Sequence, residues 1–257
     1  MNKTGKYRLL SIITALLIVL VWFIATEVFS ISELIFPSPK SVLIAFAEVL
    51  KEGYKGYTIW QHLLDSLKRI FEAFLLATLI FVPLGMLCGY NQKLRAIMEP
   101  VVTFIRPLPP LAYYSVIVLW MGIGDESKIM LLFIAAAPPI YISCVDGISK
   151  INIDYVNAAK TLGASNRQIF WKVMFWAAMP DIFTGLRNSL AGAYGTLVAA
   201  EMVAAMSGIG WMALDASKYL RSDVIFVAII IMGITGLLLD EGLKFIDKKI
   251  IYWKGKD

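Results

Sequence analysis

Histidine occurs once in the 257 residues, as His62, cysteine twice, as Cys88 and Cys144, and charged residues make up only 17% of the chain. So few ligand side chains give no structural metal set and no disulfide framework, and the two cysteines, each inside an apolar run, read as small hydrophobes. No Gly-x-x-x-x-Gly-Lys-Ser/Thr phosphate loop occurs anywhere, so ATP is not expected to bind this chain. Nucleophile, base and orienting group do not fall together, so no catalytic residue and no cofactor is expected. His62, beside Trp60 and Gln61, reads as a packing or hydrogen-bonding residue.

Apolar residues are what the chain has in excess, at 59% with a mean hydropathy of +0.72. Ordinary soluble domains hold roughly 45–50%. Charge-free runs at Leu9–Thr26, Ala73–Gln92, Pro107–Gly124, Ile129–Val145 and Val224–Leu239 approach or reach the about 17–25 residues that cross a ~30 Å hydrocarbon core. Val173–Met206 is interrupted by Asp181, Arg187 and Glu201, yet it is too apolar for a loop. The expectation is an all-α membrane protein with six spans in one domain over residues 1–257. Lys3, Lys6 and Arg8 precede the first run as in a signal peptide, but the run is long and Phe23–Glu27 is a poor cleavage site, so an uncleaved helix is expected.

Basic residues favour the cytoplasmic side of a span. Six spans with the N-terminus inside gather Lys3, Lys6 and Arg8, Lys93 and Arg95, Lys150, Lys160, Arg167 and Lys172, and Lys244 through Lys256 on one side. N-in and C-in topology follows, and the net charge of +5 reads as membrane orientation with no nucleic-acid partner. Residues 31–56 become an outer loop, where Pro37-Ser38-Pro39 precedes Val42, Leu43, Ala45, Phe46, Val49 and Leu50 at the spacing of an amphipathic surface helix. Gly85 and Gly89 in the second span form a small-x-x-x-small pair that suits close helix contact. Prolines lie in or beside several spans; broken backbone at membrane depth is tolerated along a watery cavity, although kinks that merely shape a bundle would look the same.

The loop over 149–172 is the longest cytoplasmic connection. Asn152 or Asp154 can cap a helix running through Tyr155, Val156, Ala158, Ala159 and Leu162, and Gly163 suits the left-handed residue that ends it. Ser165 through Gln168 then fit a capping box that opens a second helix. Small Ala158 and Ala159 leave a surface that another protein can approach closely.

Asn157-Ala158-Ala159, three residues, Gly163, nine residues and Val173-Met174-Phe175-Trp176 resemble the loop shared by permeases of binding-protein-dependent ABC importers, whose pattern is Glu-Ala-Ala, three residues, Gly, nine residues, Ile-x-Leu-Pro. Asn157 stands for the glutamate and Trp176 for the proline. Further stretches, including Arg106 through Ala112, Trp120 through Gly124, Thr184 through Arg187, Leu197 through Glu201 and Gly208 through Gly210, are similar to the nitrate, sulfonate and taurine branch of that family, most of all its taurine member. The resemblance implies the type I importer fold. It also implies a second permease copy, two cytoplasmic ATPases carrying ATP and magnesium, and an external substrate-binding protein.

On this reading Tyr155, Asn157, Ala158, Ala159, Leu162, Gly163, Ala164 and Ser165 form the ATPase-docking site. Arg106, Pro109, Pro110, Tyr113, Arg187 and Glu201 are candidates for the translocation path or its gate. At ~1.5 Å per residue, Arg106 and Arg187 fall at similar depth in spans three and five. Either they hold an anion in transit, or each satisfies broken-helix carbonyls near the prolines or pairs with an acid such as Glu99 or Asp181. Glu201 near the outer end of span five reads as a gate, a docking residue or an anchor. A proton relay is not supported, since no second acid or histidine is evident at its depth. A stand-alone transporter would need no docking loop, and a membrane enzyme has no constellation to support it. The solute, whether taurine, another sulfonate, nitrate or a pyrimidine precursor, is expected to be chosen by the binding protein.

Overall fold

A computed structural model describes residues 3–27 and 32–253. Ile31 of the expected outer loop, and Lys254, Gly255 and Lys256, lie outside the described residues, as do the side chains of Lys3, Lys6 and Arg8. The fold is helical: α1 (Lys3–Glu27), α2 (Pro39–Glu52), α3 (Ile59–Tyr90), α4 (Gln92–Ile105), α5 (Pro110–Met121), α6 (Asp125–Ser149), α7 (Ile153–Thr161), α8 (Asn166–Gln168), a π-helical turn at Ile169–Met174, α9 (Phe175–Ala204), α10 (Ile209–Lys218) and α11 (Ser222–Ile250).

Local chemistry sets many of these boundaries. Ser38 caps α2 by accepting from the Ser41 N–H, with Pro39 in the first turn where its missing donor costs nothing. Thr58 and Gln61 close a reciprocal capping box at the start of α3. α2 buries Val42, Ala45 and Val49, at helical spacing, against α10 and α11, while Leu43, Ile44 and Leu50 stay exposed.

α6 is the central helix. Half of its most apolar 18-residue stretch is buried, against 28% for α3 and 22% for α11. α3 and α6 run parallel: Arg69 meets Asp125 near one end, and further along Gly85 faces Tyr141 and Cys144 while Gly89 faces Ile148. A Cβ on Gly85 would lie 2.7 Å from that of Cys144, so the small-residue pair does bring two backbones together. α9 is antiparallel to both, for Ser189 Oγ donates to the Ala136 carbonyl while Glu201 reaches Arg69. α11 returns antiparallel to α9, joined by the Tyr194 hydroxyl on the Met232 carbonyl.

α3, α6 and α11 are long and apolar enough to cross a membrane. α4 and α5 together make a fourth such element, bent by 101°. Because α3 ends and α6 begins at opposite ends of the bundle, this bent pair carries the chain between them. The span expected over Pro107–Gly124 is here the second arm of a longer, bent element that starts at Gln92. Pro107, Pro109 and Pro110 remove three of the four backbone donors over residues 107–110, and Pro110 holds Pro109 in extended backbone, so the helix stops at Ile105 and restarts at Pro110. Arg106 therefore stands at a corner, as the residue that ends α4.

Candidate functional site

At one end of the bundle α7 lies on the surface with no buried residue. Asn152, and not Asp154, provides the cap, accepting from the Asp154 N–H. At the other terminus the Gly163 N–H donates to the Lys160 carbonyl and the Ala164 N–H to the Ala159 carbonyl, the two bonds of a Schellman motif. Gly163 takes φ of +77°, a conformation that glycine enters without steric cost. Ser165 and Gln168 then form their capping box, and the chain passes through the π-helical turn into α9. Val156, Ala159 and Ala164 face the core and tether the loop, while Tyr155, Asn157, Ala158, Leu162, Gly163 and Ser165 face outward. Tyr155 is 62% exposed and Leu162 88%, which leaves two large apolar side chains beside a small-residue surface. Tyr90, Phe170, Trp171, Phe175, Trp176 and Trp253 form a chain of ring contacts at this end.

The opposite end holds a buried polar cluster around Glu201. Glu201, 1% exposed, accepts at Oε1 from Ser66 Oγ (2.7 Å) and Arg69 Nη1 (2.8 Å), and at Oε2 from the Gly210 N–H (2.9 Å). Arg69, 4% exposed, also donates from Nε to Asp125 and from Nη1 to the Ser207 carbonyl. Ser207 Oγ in turn donates to Asp65. The Gly208 N–H donates to His62 Nδ1, so the ring proton sits on Nε2, which donates to the Tyr54 carbonyl. His62 stacks on Trp211. His62 is thus a hydrogen-bonding and packing residue, as expected from its neighbours.

This cluster joins α3, the start of α6, the end of α9 and the turn into α10. Its charges alternate, and nearly every donor has an acceptor, the condition under which a buried ion pair is tolerated. Nothing in it is arranged as nucleophile and base, and among the described residues no three His, Cys, Asp or Glu converge as metal ligands. Sequence reading anticipated Glu201 and the Gly208-Ile209-Gly210 turn but missed Arg69, Ser66, Asp65 and Asp125. The view that no second acid or histidine approaches Glu201 is corrected: Asp125, Asp65 and His62 all belong to its network. Asp65 and Arg69, one helical turn apart just before the apolar part of α3, were the available signal.

The arginine pairings also differ from those expected. Glu99 bonds Arg95, one turn away on α4, not Arg106. Asp181 meets Lys150, while Arg187, half-buried on α9, donates to Asp240 of α11 at 3.0 Å. Arg106 and Pro109 are exposed, Pro110 and Tyr113 half-buried, along the α4–α5 corner.

On the Glu201 side, the loop before α3 packs onto α10. Tyr54 donates to Asp215 at 3.0 Å; burial first, and then this carboxylate, raise the Tyr54 phenol above its ordinary range. Arg221 bridges Glu48 of α2 and Asp223 of α11, and hydrogen bonds to these two acids raise its pKa further. α2, α10 and the loop at residues 53–58 thus form one tied surface.

Residues 81–252 match the family described as binding-protein-dependent transport system inner membrane component. The chain is 37% identical over 248 residues to the taurine transport system permease protein TauC of Escherichia coli, covering 96% of this chain and 90% of that one. It is 33% identical to the putative aliphatic sulfonates transport permease protein SsuC of Escherichia coli (92% and 88% covered) and 30% identical to the bicarbonate transport system permease protein CmpB of Synechococcus elongatus (97% and 93% covered). Among solved structures, a chain of the MetNI methionine ABC transporter in inward-facing conformations superposes with a TM-score of 0.66, at 20% identity, over 75% of this chain and 97% of that one, which establishes a shared fold. The chain therefore belongs to the inner-membrane permeases of binding-protein-dependent ABC transport systems.

Proposed function

We propose that this chain is the membrane-spanning subunit of an ATP-driven importer that moves taurine or a related aliphatic sulfonate inward by alternating access. The observation that carries the reading is the α7 loop: a capped helix with Tyr155 and Leu162 turned outward, joined through the Gly163 turn, α8 and the π-helical turn to α9. A surface of large apolar and small residues held at the base of a spanning helix is what a separate motor protein needs to grip. The similarity to sulfonate and taurine permeases supports the solute class, and the bicarbonate relative supports a path that accepts small anions generally.

In this reading α1, α3, the α4–α5 pair, α6, α9 and α11 are six spans with both termini inside. The parallel course of α3 and α6 agrees with it, because an even number of crossings then separates the starts of those two helices. The α7 loop faces the cytoplasm, where two ATPase subunits bearing ATP and magnesium dock on Tyr155, Asn157, Ala158, Ala159, Leu162, Gly163, Ala164 and Ser165 of two permease copies. The tied α2–α10 surface faces outward and receives the binding protein. Closure of the ATPases moves α7, and α9 transmits the motion to the Glu201 cluster, which serves as the outer gate. Arg106, Pro109, Pro110 and Tyr113 line the path, and Arg187 serves chiefly as the partner of Asp240.

The test is Leu162→Asp in the complete transporter. Leu162 is nearly free of intramolecular contact, so the variant should fold and insert normally while losing co-purification of the ATPase and ATP-dependent taurine uptake. Normal uptake by this variant, or uptake indifferent to ATP, refutes the docking mechanism. Equal taurine uptake with and without the chain refutes the solute alone.

A further inference from the structure

We propose that the cleft between α4 and α6 is a transient binding site for a small zwitterionic aminosulfonate, with Arg106 as its anion-binding residue; this rests on the permease reading above. Arg106 has no hydrogen bond or ion pair from its guanidinium among the described residues, unlike Arg69, Arg95, Arg187 and Arg221, whose side chains are all engaged. It opens onto a cleft of about 150 Å³ that is also lined by Arg95, Glu99, Thr103, Tyr141 and Asp146. Pockets for drug-sized ligands occupy about 300–1,000 Å³, so this one suits a solute of only a few heavy atoms.

Three further observations point to a ligand. Arg95, Glu99 and Arg106 are spaced four and seven residues apart, one face of α4, and a charged stripe along a membrane element faces water or protein and not lipid. The Tyr141 hydroxyl is buried and, apart from the weak Cys88 thiol beside it, has no hydrogen-bond partner, so an oxygen entering the cleft offers it a stronger one. Finally, the lining carries both signs: Arg106 offers paired N–H donors for a sulfonate, while Asp146, exposed, near Arg95 but not hydrogen-bonded to it, offers an acceptor for an ammonium, with the Arg95-bound Glu99 adding negative charge beside it. An aminosulfonate bears these two charges a few bonds apart.

The experiment uses the full transporter in nanodiscs without its binding protein and measures equilibrium binding of labelled taurine, alongside uptake by the complete system. Arg106→Gln is expected to weaken binding by at least about tenfold, the loss of a charge-assisted pair. Tyr141→Phe should weaken it about threefold, the loss of one neutral hydrogen bond. Arg187→Gln, at an engaged arginine elsewhere, should leave binding unchanged. Ethanesulfonate, which lacks the ammonium, should bind more weakly than taurine. ATP hydrolysis by each variant complex at the wild-type basal rate shows that it is folded and assembled. A complex that imports taurine while Arg106→Gln binds and imports as wild type overturns the cleft assignment and leaves the permease reading standing, and equal affinity for ethanesulfonate overturns the role of the carboxylates. A wild-type complex that imports no taurine refutes the solute reading itself, and the aminosulfonate assignment with it.

Discussion

Gly208 and Glu201 share one small volume: a Cβ built on Gly208 would stand 2.5 Å from both oxygens of the Glu201 carboxylate. Gly208 also takes φ of +122°, a region that side chains avoid. Only a glycine lets the turn into α10 close over a carboxylate that is itself bonded to the Gly210 N–H.

Gly208→Ala should therefore destabilise the α9–α10 turn by more than the backbone cost of about 1–3 kcal/mol, because Glu201 must also move. Gly122→Ala is the control. It has φ of +83° with open space around the new Cβ, so it carries the backbone term alone. Thermal denaturation of the purified transporter compares the two. Equal melting points would mean that Glu201 yields freely and is not held by its network.

A double-mutant cycle tests whether Arg69 and Glu201 act as a pair. Removing one member of a buried ion pair leaves the other uncompensated, at about 3–5 kcal/mol, whereas replacing both with apolar residues is much better tolerated. Arg69→Met and Glu201→Met should each lower stability by that order, and the double variant by clearly less than their sum. Asp125, half exposed and within 3.5 Å of Lys128, keeps a partner when Arg69 is lost. Additive losses would show that Ser66 and the Gly210 N–H already satisfy Glu201.

Arg187→Gln should be mild. The pair with Asp240 is more than a third exposed on each side, and Asp240 retains Lys244 at 2.8 Å. Screening limits such pairs to at most about 1 kcal/mol. A shift in thermal midpoint of more than a few degrees, or a collapse of taurine uptake, would assign Arg187 a direct part in transport.

Much of the molecule was legible from short sequence windows. The apolar runs announced a membrane protein, and Asn152, Gly163, Ser165 and Gln168 announced a helix, a left-handed turn and a capping box, each bond of which spans only a few residues. The Gly85 and Gly89 pair announced a close helix contact, although not that α6 would be its partner. The single histidine was read correctly because its neighbours alone suggested packing.

What was not legible is every feature that depends on distant segments meeting. Arg69 and Glu201 are 132 residues apart, and no local periodicity states that one guanidinium will bridge the end of α9 and the start of α6. Charges at the edge of an apolar run look like ordinary span boundaries until packing withdraws them from water. The prolines of the third span point to broken backbone but not to a bend of 101°, which is a relation between two helices that meet α6 separately.

The amino-acid order by itself determined that this is a helical membrane chain and where its local caps and turns fall, because hydropathy and hydrogen bonds between near neighbours are properties of short segments. Tertiary structure alone decided which arginine is buried, which is paired and which is left open to a cleft, because that depends on the distances between helices that assemble only when the whole bundle packs.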